Sequence, residues 1–525
     1  MQLIFEISKP GSATRMLPDL EEGIIKIDLA KSALKEFVQS SGNSSGTLST
    51  LDLPEVPENE IIRHYVALSR RNIGIDTAFY PLGSCTMKYN PKINEDTARL
   101  EGFAMLHPMQ IFTDQHTPQD HVQGVLQLIY ELEKDLCEIT GMDAATLQPA
   151  AGAHGEMTGL MIAKKYFHDR KEFQRKKVLI PDSAHGTNPA SAAICNFEIV
   201  TIKSNNQGLV DIENLRKNLN EQSAVFMITN PNTLGLFEKN IVEICNVVHE
   251  AGALVYCDGA NMNAMVGITK PGEMGFDMMH LNLHKTFSTP HGGGGPGAGP
   301  CLVKEHLKNC LPMPRILKEE TGEIGVEYDN YTRKEIMSKR YRYILVYTPY
   351  DSNLAAHSSS IGRVKAFFGN FGILVRAYTY IKAHGASGLR KNTEYAVLHA
   401  NYLRVILQEH YDLPHKVVCK HEFVLSDKDI PNGVTTLDIA KRLLDYGQHA
   451  PTIYFPMIVH GSIMIEPTET ESLDRLNEFA AAMIKIKEEA VSDPELVKKA
   501  PHTTVVGRLD AVAAARKPNV KWKRE

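Results

Sequence analysis

From residue 118 onward the apolar positions fall into a readable order. Val122, Val125, Leu126, Ile129, Leu132, Leu136 and Ile139 recur at helical spacing, and Gly141 follows as a stop signal. Short apolar runs then alternate with helical segments. Residues 178–180, 198–200, 225–228, 254–257 and 278–283 read as buried strands, while 157–166, 212–219 and 241–251 read as helices. Strand and helix alternating over more than a hundred residues predict an α/β domain with a mainly parallel sheet.

A second, smaller unit follows. The stretch from 351 to about 408 has a helical pattern interrupted near residues 385–388. Strands at 417–425 and 462–465 and helices at 436–446 and 473–490 predict a smaller C-terminal α+β domain. The first 110 residues are different. They are rich in Pro, Ser and Gly, with a polar spacer at 40–49 and two prolines between 53 and 62. The pattern there predicts an extended arm. The expected division is therefore an arm (1–110), a large domain (111–350), and linker helices with a small domain (351–525).

Composition narrows the function classes. A chain of 525 residues is too long for a single core, which agrees with the division above. A net charge of −5 without a basic patch speaks against nucleic acid or a membrane surface as partner. The basic end (Lys517, Lys521, Lys523, Arg524) reads as a solvated tail. Eight cysteines without a CxxC pair or zinc spacing fit a reduced, cytoplasmic protein rather than a disulfide framework. The beginning lacks the order of a signal or transit peptide, and no apolar run reaches the roughly 20 residues that span a bilayer.

Four elements carry candidate chemistry, each where a predicted strand ends, the place where open α/β sheets bind ligands. Ala151-Gly152-Ala153-His154-Gly155-Glu156 opens a helix, and small residues there let backbone N–H groups approach a phosphate. By itself it is equally an ordinary loop. His185, in Pro181-Asp182-Ser183-Ala184-His185-Gly186-Thr187-Asn188-Pro189, follows a strand and suits a face-on contact with a flat ring, or the capping of a turn. Asp258 ends a very apolar strand; a buried carboxylate needs a cationic partner, although an aspartate also serves as a helix N-cap. Lys285, in Asn282-Leu283-His284-Lys285-Thr286, leaves an apolar run and enters a glycine-rich loop through Gly299. Apolar surroundings lower an amine's pKa, which suits a lysine that binds a carbonyl cofactor covalently. Taken singly, each has a bland reading. Their order along the chain describes a lysine that holds pyridoxal 5'-phosphate (PLP).

With these residues in view, the chain resembles the fold-type-I PLP-dependent transferases. More narrowly, it resembles the P-protein (glycine decarboxylase) family of the glycine cleavage system. The matching stretches are YPLGSCTMKYNP (80–91), LQPAAGAHGE (147–156), HGTNPA (185–190), DGANMN (258–263), the lysine loop, PTIYFP (451–456) and EPTETE (466–471). Its length resembles the second subunit of the family's two-chain form. The resemblance implies Lys285 as the PLP lysine, His185 stacked on the ring and Asp258 at the ring nitrogen. It implies Gly152, Ala153 and His154 around the phosphate, with Thr286 beside the lysine. It also implies glycine as substrate, a sister subunit 1 in a heterotetramer of two copies of each, and the lipoylated H-protein as acceptor of the aminomethyl group.

His284, Thr286 and His291 are candidates for orienting the glycine carboxylate, or merely shape the loop; Cys85 reads as a reactive thiol near a lipoyl disulfide or as an inert small apolar residue, and His460 as reaching the site from the small domain or only making a turn. Two other readings compete. One is a different fold-type-I PLP enzyme, such as an aminotransferase or a cysteine desulfurase. An aminotransferase favours an arginine for the substrate carboxylate in the small domain, where Arg442 and Arg475 both fall in predicted helices. The other is a cofactor-less subunit that stabilises a partner, which the presence of both Lys285 and Asp258 disfavours.

Overall fold

The computed structural model describes residues 2–9, 11–12, 54–113, 122–290, 292, 297–320, 325–329, 332–336, 341–346 and 359–520. The polar spacer at 40–49, the helical start at 118, His291, most of the glycine loop and residues 351–358 lie outside the described residues, as do Lys521, Lys523 and Arg524.

The chain divides into two compact units, Met1–Gly74 and Ile75–Glu525. In the first, Glu55 ties two stretches together: its N–H donates to Ser8 Oγ at 2.8 Å and its carbonyl accepts from Lys9 N–H at 3.1 Å. A helix, Glu58–Ser69, follows. The expected arm of residues 1–110 therefore does not extend as one piece. Residues 75–110 belong to the larger unit, because the 80–91 stretch spends its backbone hydrogen bonds on the small domain. Leu82 bridges Ile465, and Glu466 N–H donates to Pro81 O at 3.2 Å.

The larger unit is built on a seven-stranded sheet in the order β1-β7-β6-β5-β4-β2-β3. The strands are β1 (Ala144–Thr146), β2 (Lys177–Pro181), β3 (Glu198–Ile202), β4 (Ser223–Thr229), β5 (Leu254–Gly259), β6 (Met278–Leu281) and β7 (Cys301–Val303). The run β6-β5-β4-β2-β3 is parallel throughout, and β7 is antiparallel to both its neighbours. Side chains alternate between two cores. Leu179, Phe226, Ile228 and Val255 join one, and Val178, Ile180, Val225, Met227 and Tyr256 the other. Helix α1 (Gln123–Thr140) covers the first face and ends at Gly141, whose φ of 71° suits glycine. Helix α2 (Gly152–Asp169) covers the second. This two-sided burial is why the strands read as apolar runs.

Helices α3 (Thr187–Ile194), α4 (Ile212–Asn218) and α5 (Ile241–Glu250) connect the parallel strands. The strand expected at 278–283 stops at Leu281, and Leu283–Thr286 is a helical turn, α6. Two antiparallel pairs were not foreseen, β8 (Arg315–Glu320) with β11 (Tyr341–Val346), and β9 (Gly325–Asp329) with β10 (Thr332–Ile336).

The long helix α7 (Phe371–Leu407) leads to the C-terminal part and is broken at Gly385, where φ is 59° and ψ −177°. There β12 (Phe423–Ser426), β14 (Ser462–Ile465) and β13 (Thr452–Ile453) form an antiparallel sheet in that order. Helices α8 (Thr436–Asp445) and α9 (Leu473–Ser492) close its core. The strand expected from 417 begins only at Phe423. Among the described residues no helix is long and apolar enough to cross a membrane.

Candidate active site

A cavity of about 250 Å³ opens at the carboxyl ends of β4, β5 and β6. Its walls include Gly152, His185, Asp258 and Lys285 from the large domain, and His421 and Glu422 from the small one. Ser84 and Cys85 of the 80–91 stretch also line it.

Lys285 sits on the α6 turn, half-buried, and among the described residues no hydrogen bond or ion pair engages its Nζ. The turn is fixed from behind. Thr286 is buried; its Oγ1 accepts from Met262 N–H at 2.9 Å and its carbonyl from Lys88 Nζ at 2.8 Å. Thr286 thus holds the turn and does not line the cavity. Lys88 is itself buried. It donates to Glu469 Oε1 at 2.7 Å and Asn263 Oδ1 at 3.1 Å, so two separated motifs meet behind the lysine.

Asp258 ends β5 and is buried. Burial alone pushes its carboxyl up. His280 beside it, Asn188 Nδ2 (2.8 Å to Oδ2), Ala260 N–H (3.0 Å to Oδ1) and Lys285 more than offset this and hold it below the usual carboxylate range. Asn188 also donates to Glu156 Oε2 at 3.1 Å, as does Ser191 Oγ at 3.1 Å. Burial, with the charge of Asp258 close by, pushes Glu156 up to about 8. At pH 7 the pair therefore carries one negative charge, on Asp258. His280 is fully buried, and burial holds its imidazolium down. The Tyr256 hydroxyl lies 2.9 Å from Nδ1. The neutral tautomer accepting there carries its hydrogen on Nε2, which faces Asp258 Oδ1 at 3.5 Å.

Helix α2 begins at Gly152, and the N–H groups of its first turn have no acceptor within the helix. A Cβ on Gly152 would strike the Asn282 amide, so the chain passes closely here. Among the described residues, Asn282 Oδ1 is buried without a hydrogen-bond partner. His154 turns away: Ala150 N–H donates to its Nδ1 at 3.2 Å, and it is not among the lining residues. His185 lies at the rim, its Nδ1 2.7 Å from Thr187 Oγ1 and its ring 5.3 Å from that of Phe455; burial lowers its pKa.

From the small domain, Glu422 lines the cavity and Glu466 lies next to it; both are buried carboxyl groups. Glu466 accepts three strong bonds: from Thr86 N–H (2.9 Å) and Oγ1 (2.7 Å) and from Asn261 Nδ2 (2.8 Å). Ser84 and Thr86 adopt left-handed backbone, with φ of 62° and 52°, and in that turn their N–H groups reach the carboxyl pair. Cys85, between them, lines the cavity; burial pushes its thiol up despite Lys285 nearby. His460 is exposed and lies outside the lining.

Sequence reading did not assign roles to Glu156, Asn188, His280, Lys88, His421, Glu422 or Glu466. A signal existed for His280, a polar residue inside an otherwise apolar strand. Glu156, Asn188, Lys88 and Glu466 sit in the quoted motifs, but their partners come from distant segments.

The residues present fit PLP. The Lys285 side chain and the ionised Asp258 line one cavity that the N-terminus of α2 also borders, which suits a flat ring with a basic nitrogen and an anionic tail.

Comparison with known proteins agrees. Residues 392–502 match the family model "Glycine dehydrogenase, C-terminal domain", and residues 160–311 match "Aminotransferase class-V". A probable glycine dehydrogenase (decarboxylating) subunit 2 of Caldanaerobacter subterraneus subsp. tengcongensis is 52% identical over 523 residues, 99% of this chain and 98% of its own. One of the same name from Alkaliphilus oremlandii is 53% identical, covering 100% of this chain and 99% of its own. Among solved structures, a glycine decarboxylase (P-protein) of the glycine cleavage system is similar with a TM-score of 0.64 and 20% identity, covering 88% of this chain and 100% of that one. Glutamate decarboxylase of Lactobacillus brevis gives 0.56 at 11% identity, covering 83% and 92%. These two likenesses show the fold, a fold-type-I PLP architecture. With relatives more than half identical across nearly its full length, the chain belongs to the glycine dehydrogenase (decarboxylating) subunit 2 family.

Proposed function

We propose that this chain carries out the PLP-dependent decarboxylation of glycine and passes the aminomethyl group to the lipoyl group of the H-protein. It acts with a sister subunit, in an assembly of two copies of each. In this reading residues 111–350 form the cofactor domain, and 351–525 the linker helices and small domain.

PLP, when bound, supplies an electron sink for the pair left on carbon as CO2 departs. The chain supplies the rest. Lys285 would hold the cofactor through its amine, and with that amine unbound it would be able to move a proton. Asp258 holds the ring nitrogen protonated, with Asn188 and His280 keeping the carboxylate charged. The N–H groups of Gly152, Ala153 and His154 receive the phosphate, so His154 contributes backbone rather than its ring. His185 covers one face of the ring from the rim.

No arginine lines the cavity among the described residues, so no guanidinium holds the substrate carboxylate in its charged form. That favours a reaction in which the carboxylate leaves over transamination, in which it is retained. The observation that carries the reading is that Lys285 and the ionised Asp258 line one cavity, in a chain of this family. The test is exchange of labelled bicarbonate into the carboxyl group of glycine, with lipoylated H-protein, with and without the sister subunit. Exchange that requires both supports it. Bound PLP with no exchange in any mixture would point to another PLP reaction.

A further inference from the structure

The following rests on the function proposed above. Transfer to a lipoyl disulfide has a proton balance. The electron pair released with CO2 forms a new C–S bond, the S–S bond breaks, and the second sulfur leaves as a thiolate. The substrate carbon is oxidised and the disulfide reduced. The departing sulfur needs one proton, which neither CO2 nor the transferred group provides.

We propose that Glu422 is the acid that protonates this sulfur. One oxygen of Glu422, one of Glu466 and one nitrogen of His421 lie within 4.8 Å of one another, all buried. The two carboxyl groups are unequally served. Glu466 accepts three hydrogen bonds and does not line the cavity. Glu422 lines it, and its side chain accepts only the Ser84 N–H bond, at 2.8 Å to Oε2, among those described. Oε1 is left towards His421, 3.7 Å away. A proton shared by such a pair belongs on the less solvated member.

The charged and titratable groups facing Glu422 agree. Burial and Glu466 push it well above the usual carboxylate range, against Ser84 N–H and Lys285. Burial, with Lys285 adding to it, pushes His421 down to about 3, so the imidazole is neutral and cannot pair with a carboxylate. Cys85 and Cys419, both near Glu422, are pushed up by burial and stay thiols. The position is fixed from behind, because a Cβ on Gly235 would strike the Glu422 carbonyl. The cavity lining thus holds an acid, Glu422, besides the ionised Asp258. After each transfer Glu422 recovers its proton from solvent.

The test compares wild type with Glu422→Gln, which keeps an acceptor for Ser84 N–H. Aminomethyl transfer to lipoylated H-protein, with the sister subunit present, should fall about 10²-fold or more. Wild-type transfer should decline as pH rises through the pKa of the acid, and that limb should be missing in Glu422→Gln. Infrared difference spectra of the chain without cofactor should show a buried protonated carboxyl band that Glu422→Gln removes. A merely structural role would leave the pH limb in place. Transfer within a few fold of wild type, or a carboxyl band lost in Glu466→Gln but kept in Glu422→Gln, would overturn the proposal. If wild type itself transfers nothing to a lipoyl carrier while retaining PLP, the functional reading falls and the role falls with it.

Discussion

Two buried trios, each of two carboxyl groups and an imidazole, reach the cavity around Lys285, one through Glu156 and Asp258 and the other through His421 and Glu422. One is Glu156, Asp258 and His280 at the end of the parallel sheet; the other is His421, Glu422 and Glu466 in the small domain. Burial pushes all four carboxyl groups up, yet the outcomes differ. Asp258 ends below the usual range and Glu156 near 8, whereas Glu422 and Glu466 both end raised. The difference lies in what surrounds them. Asp258 accepts from Asn188 Nδ2 and the Ala260 amide, and His280 Nε2 lies 3.5 Å from its Oδ1 without a hydrogen bond. Glu422 has a single backbone donor and a neutral ring that makes no hydrogen bond. Burial sets the cost of a charge, and donors offset it only in part: Glu466 accepts three bonds and still ends raised, whereas Asp258, with His280 and Lys285 also close, keeps its charge. One cavity lining thereby holds a fixed anion, Asp258, together with protonated carboxyl groups at Glu156 and Glu422.

The largest expected effect falls on the lysine itself. Lys285→Ala should keep the fold, lose the visible absorbance of lysine-bound PLP after dialysis, and lower glycine decarboxylation by at least about 10³-fold. Asp258→Asn removes the fixed anion while keeping an acceptor for Asn188. Activity should drop about 10²–10³-fold and the PLP spectrum should shift, a change that Glu422→Gln should not produce. Equal spectral shifts in both variants would erase the distinction between the trios.

A further buried carboxylate, Glu469, sharpens the comparison because its partner is a true ammonium, Lys88. Lys88→Met should destabilise the protein by about 3–5 kcal/mol in denaturant unfolding, and adding Glu469→Gln should recover much of the loss. The smallest effect lies away from the site. Burial raises Glu133 on α1 to about 7, against Arg315 and Lys134. Its neutral form is favoured in the folded state. Its contribution is therefore complete below the unfolded value near 4.5 and is lost as pH rises to about 7, on the order of 3 kcal/mol. Glu133→Gln should flatten stability over that window, and an unchanged slope would count against burial as the cause.

Much of this was legible in the sequence. The alternating runs gave the parallel strands nearly residue by residue, because both sheet faces are covered and each strand is apolar throughout. Lys285, Asp258 and His185 were readable because each follows such a strand. The small-domain trio was not. Glu422 and Glu466 owe their meaning to Ser84 and Thr86, more than 300 residues away in sequence, held in left-handed backbone that no pattern announces. His154 was misleading in another way: its motif gives a helix start whose N–H groups face the cavity, while its ring folds back on Ala150. Strands β1, β7 and β13 were missed because two or three residues carry no periodicity.

The most direct test of the account is reductive trapping. Treating the PLP-loaded protein with borohydride and mapping peptides by mass should place the pyridoxyl group on Lys285, with none on Lys88. A label on any other lysine would remove the centre about which both trios are arranged.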